Sequence, residues 1–200
     1  MKEKVSIDEF DTQCWCNRVL ADPYQVLAEV FSTCDMVHLR RFIRKMVQYS
    51  ESNRVYKKDS PGEVLLDMRL IRSLIRAAWK LKEKEKGTPK VLETDVCNKS
   101  FYCSNFLPEA EWEQFPRFVS MKEYCNPYKV FGKFFNHQTI DQWVVNWEKM
   151  VDCALSQYRG ELGLEMISFY THLSKLLEAG NLITLREVNH TGGMRKNHMV

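Results

Sequence analysis

The chain reads as an all-α protein, an irregular bundle of about six or seven helices around an aromatic-rich core. Three observations carry that reading. Apolar residues recur at spacings of three and four through several long windows, cap-type residues precede most of those windows, and aromatic side chains gather in one stretch. The chain holds 11 Phe, 8 Tyr and 5 Trp, and nine of these fall between Phe115 and Trp147. Aromatic rings bury the largest apolar areas, so other elements are expected to pack around that stretch.

Residues 1–20 lack a clear period and are expected to form an arm docking through Phe10, Trp15 and Leu20. Asp22 followed by Pro23 is an N-cap and first-turn proline, opening a helix with Val26, Leu27, Val30 and Phe31 inward. Ser32, Thr33 and Asp35 favour a break. A second helix then runs from Met36 to about Tyr49 and buries Val37, Phe42, Ile43, Met46 and Val47. Residues 50–60 read as a polar linker. Ser60, Pro61 and Glu63 supply cap, proline and capping-box glutamate for a helix reaching about Lys84, with Val64, Met68, Ile71, Leu74, Ile75, Ala78 and Leu81 on its apolar face. Gly87, Thr88 and Pro89 end it, and residues 90–107 give no decisive period.

The aromatic stretch contains three start signals. Ser120 with Glu123, and Thr139 with Gln142, are capping boxes; Asn126 before Pro127 reads as a third N-cap. Tyr128, Phe131, Phe134 and Phe135 share one face of a short helix. Trp143, Trp147, Met150, Val151, Ala154 and Tyr158 form the stripe of the next. After Arg159-Gly160, a last helix is expected over 161–179, with Gly180 as its C′ residue and 181–188 as a short strand or extended segment. The chain thus divides into an N-terminal helical half (1–88), an aromatic-rich half (89–188) that either stands apart or joins it in one domain, and a polar tail (189–200) expected to be disordered.

Seven cysteines, an odd number, together with an N-terminus lacking an apolar h-region, point to reduced thiols and a cytoplasmic protein. No run approaches the ~18 apolar residues of a membrane span, so no membrane partner is expected. The net charge of +3 is unevenly spread: residues 36–86 hold fourteen Lys and Arg against six Asp and Glu. Arg69, Arg72, Arg76, Lys80 and Lys84 recur three or four apart, with no acid between Asp67 and Glu83 to neutralise them along the helix. Arg40, Arg41, Arg44 and Lys45 form a second cluster.

These basic positions, Arg40, Arg41, Arg44, Lys45, Arg69, Arg72, Arg76 and Lys80, are the candidate partner- or phosphate-binding residues. The expected function is a non-enzymatic binding or regulatory module whose partner is a protein with an anionic surface. Nucleic-acid binding through the same face is the alternative, although no zinc-finger, basic-zipper or RRM grammar accompanies it. A solvated face, or one paired with Glu109, Glu111 and Glu113, is the competing structural explanation.

Catalytic and metal signals are sparse. No nucleophile elbow, P-loop or dinucleotide fingerprint occurs, and neither a metal nor another cofactor is expected. Cys14 with Cys16 and Cys97 with Cys103 fit zinc-ligand spacing poorly, and buried free thiols are expected in preference to a site assembled in space from all four. Glu161, Glu165 and His172 share a helical face without the paired Glu-x-x-His motifs of a di-metal bundle. Asp35 and His38 read as a surface pair. Cys125, His137 and His172 are the residues an enzyme with a pocket in the aromatic half would use.

Overall fold

A computed structural model describes residues 22–82, 91–103, 111–157 and 162–188. Among them are eight α-helices and two 3₁₀ turns: α1 (Pro23–Thr33), α2 (Met36–Ser50), α3 (Pro61–Leu81), α4 (Glu111–Gln114), α5 (Met121–Cys125), α6 (Tyr128–His137), α7 (Ile140–Leu155) and α8 (Met166–Glu187). The protein is an all-α bundle. The N-terminal arm, the Gly87-Thr88-Pro89 stop, Tyr158 with the Arg159-Gly160 break, and the 189–200 tail lie outside the described residues.

Local chemistry starts most helices where the sequence signals it. Asp22 accepts from the Tyr24 N–H at 3.1 Å, and Asp35 accepts from the His38 N–H at 2.7 Å, so Cys34 and Asp35 form a two-residue link between α1 and α2. Reciprocal capping boxes form at Ser60/Glu63, Ser120/Glu123 and Thr139/Gln142. Asn126 departs from expectation. It is the buried C-cap of α5, its N–H donating to the Lys122 carbonyl, and its side-chain oxygen caps nothing. Its backbone carbonyl accepts from Lys129 instead, and Pro127 leads into α6.

The main core joins the two sequence halves. Leu27, Leu39, Phe42, Ile43, Ile71 and Leu74 from α1–α3 share one cluster with Phe131, Phe134, Trp143, Trp147, Met150 and Leu177 from α6–α8. Phe134 stacks on Trp143 at 3.9 Å, and the two indole N–H groups donate to the carbonyls of Phe134 and Met68, both at 3.0 Å. The aromatics are therefore core, with their polar atoms satisfied. A smaller cluster holds Val91, Val96, Tyr102, Tyr124, Cys125 and Leu182. Residues 91–103, where the period is undecided, form 3₁₀ turns at Glu93–Asp95 and Lys99–Phe101. The 50–60 linker also packs inward, because Tyr56 is buried and its N–H donates to the Ala154 carbonyl at 2.8 Å.

The last helix differs most from its sequence expectation. It begins at Met166 with Glu165 as N-cap, and it runs straight through Gly180 to Glu187. Gly180 is a contact glycine. A Cβ there would lie 2.7 Å from Leu74 Cδ1 and 3.4 Å from the Phe31 ring. Residues 173–188 are buried except for the half-buried Lys175 and Leu185, which makes this end of α8 the central pillar of the bundle. Its polar side chains find partners inside the bundle. Arg186 donates to the carbonyls of Phe101 (3.0 Å) and Tyr124 (2.6 Å), and Glu187 accepts from Tyr128 at 2.8 Å.

Candidate functional site

The basic residues of α2 open onto a cleft of about 330 Å³. Val37, Arg40, Arg41 and Arg44 recur at three- and four-residue spacing and form one wall; Glu113, Arg117 and Phe118 form another, and Tyr170 of α8 the third. Four guanidinium groups thus converge on one concave surface. The wall at 117–119 is anchored by a single carboxylate. Glu178 is fully buried and accepts the backbone N–H groups of Arg117 (2.8 Å, on Oε1), Phe118 (2.8 Å) and Val119 (3.1 Å, both on Oε2), while Arg40 lies 3.1 Å from Oε1. Burial pushes the Glu178 carboxyl up, opposed by those N–H groups and by Arg40; burial likewise lowers Arg40, opposed by Glu178.

The four arginines are not equivalent. Arg40 is largely buried and also donates to the backbone carbonyls of Glu113 (3.1 Å) and Phe115 (3.4 Å), so it braces the cleft floor. Arg41 meets Glu113 at 2.6 Å, with both side chains well exposed. This is one of the acidic pairings foreseen from the sequence; Glu109 and the Glu111 side chain lie outside the described residues. Arg44 and Arg117 are exposed, and among the described residues neither side chain has an acidic partner. Arg117 carries no obvious sequence signal, because it stands alone in an acidic and aromatic neighbourhood. Only the fold brings it to α2.

The other basic candidates sit elsewhere. Lys45 is held by Asp59 at 3.2 Å beside Tyr56. Arg72 pairs with Glu148 of α7 at 3.2 Å. Arg76 is buried, Arg69 is half-buried and Lys80 is exposed, and none of them lines the cleft. Lys84 is outside the described residues. Arg72 faces Glu148 of α7, whereas α2 presents its arginines toward 113–118 and Tyr170 of α8, so these basic positions address different neighbours.

The residues considered for chemistry are also placed. Cys14, Cys16 and Glu161 lie outside the described residues, Cys97 is exposed and Cys103 half-buried. Cys125 ends α5 in the smaller core cluster, where burial pushes its thiol up, away from nucleophile behaviour. His137 and His172 stack at 4.4 Å against Trp143, with Ser168 Oγ 3.5 and 3.3 Å from them. Asp35 and His38 are not an isolated surface pair. Asp35 caps α2, and the His38 ring reaches 2.7 Å to Asp67 on α3. Burial, then Asp67 and Asp35, push the neighbouring Cys34 thiol up to about 12.

Among the described residues, no helix is long and apolar enough to cross a membrane. No family model, curated protein or solved structure matches this chain.

Proposed function

We propose that the protein is a non-enzymatic cytoplasmic binding module that captures an acidic or phosphorylated segment of a partner protein in the arginine cleft of α2. The observation that carries this reading is the convergence of Arg40, Arg41, Arg44 and Arg117 on one concave surface. Guanidinium groups recognise carboxylate and phosphate in bidentate fashion, and clustered arginines are the usual means of reading such motifs in peptides. Arg44 and Arg117 would make the first contacts, and Arg41 would exchange Glu113 for the incoming anion. Phe118 and Tyr170, edge to face at 5.4 Å, offer apolar surface beside the charges. Trp112, next in sequence to Glu113 and 77% exposed, is a further anchor of the type that dominates protein interfaces.

A compact cleft favours a peptide-like partner over nucleic acid, whose backbone needs a longer cationic track. Pairing of Arg72 and burial of Arg76 shorten the track available.

The test is fluorescence anisotropy with labelled polyglutamate and phosphoserine peptides, and with generic duplex DNA and RNA, at low and moderate salt. Arg44→Glu/Arg117→Glu is the variant of choice, because both residues are exposed. Peptide binding that weakens on the order of tenfold or more in the variant supports the cleft. Tighter binding of DNA or RNA with a steep salt dependence would transfer the site to nucleic acid, and peptide binding unchanged in the variant would remove it from the cleft.

A further inference from the structure

Away from the cleft, three side chains with metal-ligand chemistry meet where α1, α2 and α3 come together. Cys34 is the C-cap of α1, held extended by its N–H bond to the Val30 carbonyl. His38 is in the first turn of α2, fixed by the Asp35 cap. Asp67 is in the second turn of α3, with a side chain 5% exposed, whereas that of His38 is 47% exposed. One donor atom from each residue lies within 4.8 Å of the other two. The closest approaches are His38 Nε2 to Asp67 Oδ2 at 2.7 Å and Cys34 Sγ to Asp67 Oδ1 at 3.9 Å.

We propose that Cys34 Sγ, a ring nitrogen of His38 and a carboxylate oxygen of Asp67 form a binding site for a divalent cation of the zinc class, with a fourth position open to solvent. The donor set is mixed sulfur, nitrogen and oxygen, which suits a borderline-soft tetrahedral ion and not magnesium or calcium. Around a zinc ion, bond lengths of ~2.3 Å to sulfur and ~2.0 Å to nitrogen or oxygen place S and O ~3.5 Å apart and N and O ~3.3 Å apart. The observed 3.9 Å runs to Asp67 Oδ1 and the 2.7 Å to Asp67 Oδ2, so rotation of the carboxylate to present one oxygen, with His38 moving back, brings the three donors to tetrahedral spacing. The exposed edge of His38 provides the entry path. Asp35, Asp59 and Glu63 surround it, and each is close enough to act electrostatically on Cys34 or His38. On binding, the cation replaces the thiol proton, which leaves to solvent, and the His38–Asp67 hydrogen bond gives way to two metal bonds. The ion would tie the α1–α2 link to α3. Three protein ligands and an open position also leave room for an external donor from a partner or small molecule.

The experiment titrates cobalt(II), and separately zinc, into the full-length, reduced, chelator-treated protein. Cobalt is read by its sulfur-to-metal charge-transfer and visible ligand-field absorption, zinc by the rise in melting temperature. Wild type is expected to show both signals with one equivalent bound. Cys34→Ser should abolish the charge-transfer band, and His38→Ala and Asp67→Asn should each weaken binding on the order of tenfold or more. Cys14→Ser/Cys16→Ser should leave all signals intact. His38→Ala keeps the test decisive if a core-facing variant fails to fold, because His38 is half-exposed. Absence of the charge-transfer band in folded wild type, its survival in Cys34→Ser, or its loss in Cys14→Ser/Cys16→Ser would overturn the proposal.

Discussion

Glu178 and Glu123 show how much of this fold rests on single buried carboxylates. Glu178 accepts three backbone N–H groups and faces Arg40, so one side chain fixes both the 117–119 wall and the floor of the cleft. Glu123, also fully buried, accepts the Ser120 N–H at 2.8 Å and lies 2.7 Å from Lys133 and 3.4 Å from Lys175. Burial by itself would raise the Glu123 carboxyl, but Lys133, the Ser120 cap and Lys175 outweigh it and hold the group at about 2. A carboxyl depressed on folding contributes stability above its unfolded value, near 4.5, and that contribution is lost as pH falls from there toward 2. Glu123→Gln is therefore expected to lose on the order of 2–3 kcal/mol at neutral pH and to flatten the acid limb between those values, which urea unfolding at stepped pH measures. The capping-box role of Glu123 is legible from Ser120 three residues earlier. Its two lysine partners are not, because Lys133 and Lys175 come from α6 and α8.

Among the elements, α8 decides the arrangement of the rest. Its sequence offers Gly180 as a stop, followed by residues that read as an extended or strand-like segment, yet the helix continues for seven residues beyond that glycine to Glu187. Burial of Leu182, Ile183 and Val188 and the internal partners of Arg186 and Glu187 override the local signal. At Gly180 the absent side chain admits Leu74 and Phe31 from α3 and α1. Alanine there would gain helix propensity but would bring its Cβ to 2.7 Å from Cδ1 of Leu74, itself 1% exposed in a packed core. Gly180→Ala is expected to cost on the order of 1–2 kcal/mol. Adding Leu74→Val should recover part of that loss, so a double-mutant cycle by urea unfolding returns a coupling that separates packing from helix termination. By contrast, helices with strong caps begin where their sequences say. Ser60, Ser120 and Thr139 each satisfy donors within four residues of themselves, and that chemistry needs no neighbour.

For the whole molecule, the apolar faces of α2 and α3 close onto α7 and α8, so residues 22–82 lack a complete core of their own. Trp147 illustrates the dependence: its ring meets Phe42 of α2 at 6.0 Å and its N–H reaches the Met68 carbonyl of α3. The chain is expected to unfold in one transition, with tryptophan fluorescence and far-ultraviolet circular dichroism giving coincident midpoints. Residues 1–88 produced alone are expected to lack stable helix by circular dichroism. Two separated transitions, or a folded 1–88 fragment, would show the halves to be independent. The arginine cleft belongs to this scale as well, since its walls come from α2, from residues 113–118 and from α8.

The sequence by itself determined the helical class, the starts of α1, α2, α3, α5 and α7, and the aromatic core, because caps, proline positions and helical periodicity act over three to seven residues. It also showed that basic charge gathers on α2 and α3. Tertiary structure decided which of those charges are paired within the fold, since Glu113, Glu148 and Asp59 reach some of them from distant segments. It likewise decided that Arg117 joins the cleft, that Cys34, His38 and Asp67 converge, and that α8 continues through its glycine. Each of these depends on residues tens of positions apart, whose proximity is set by how helices pack and not by any local pattern.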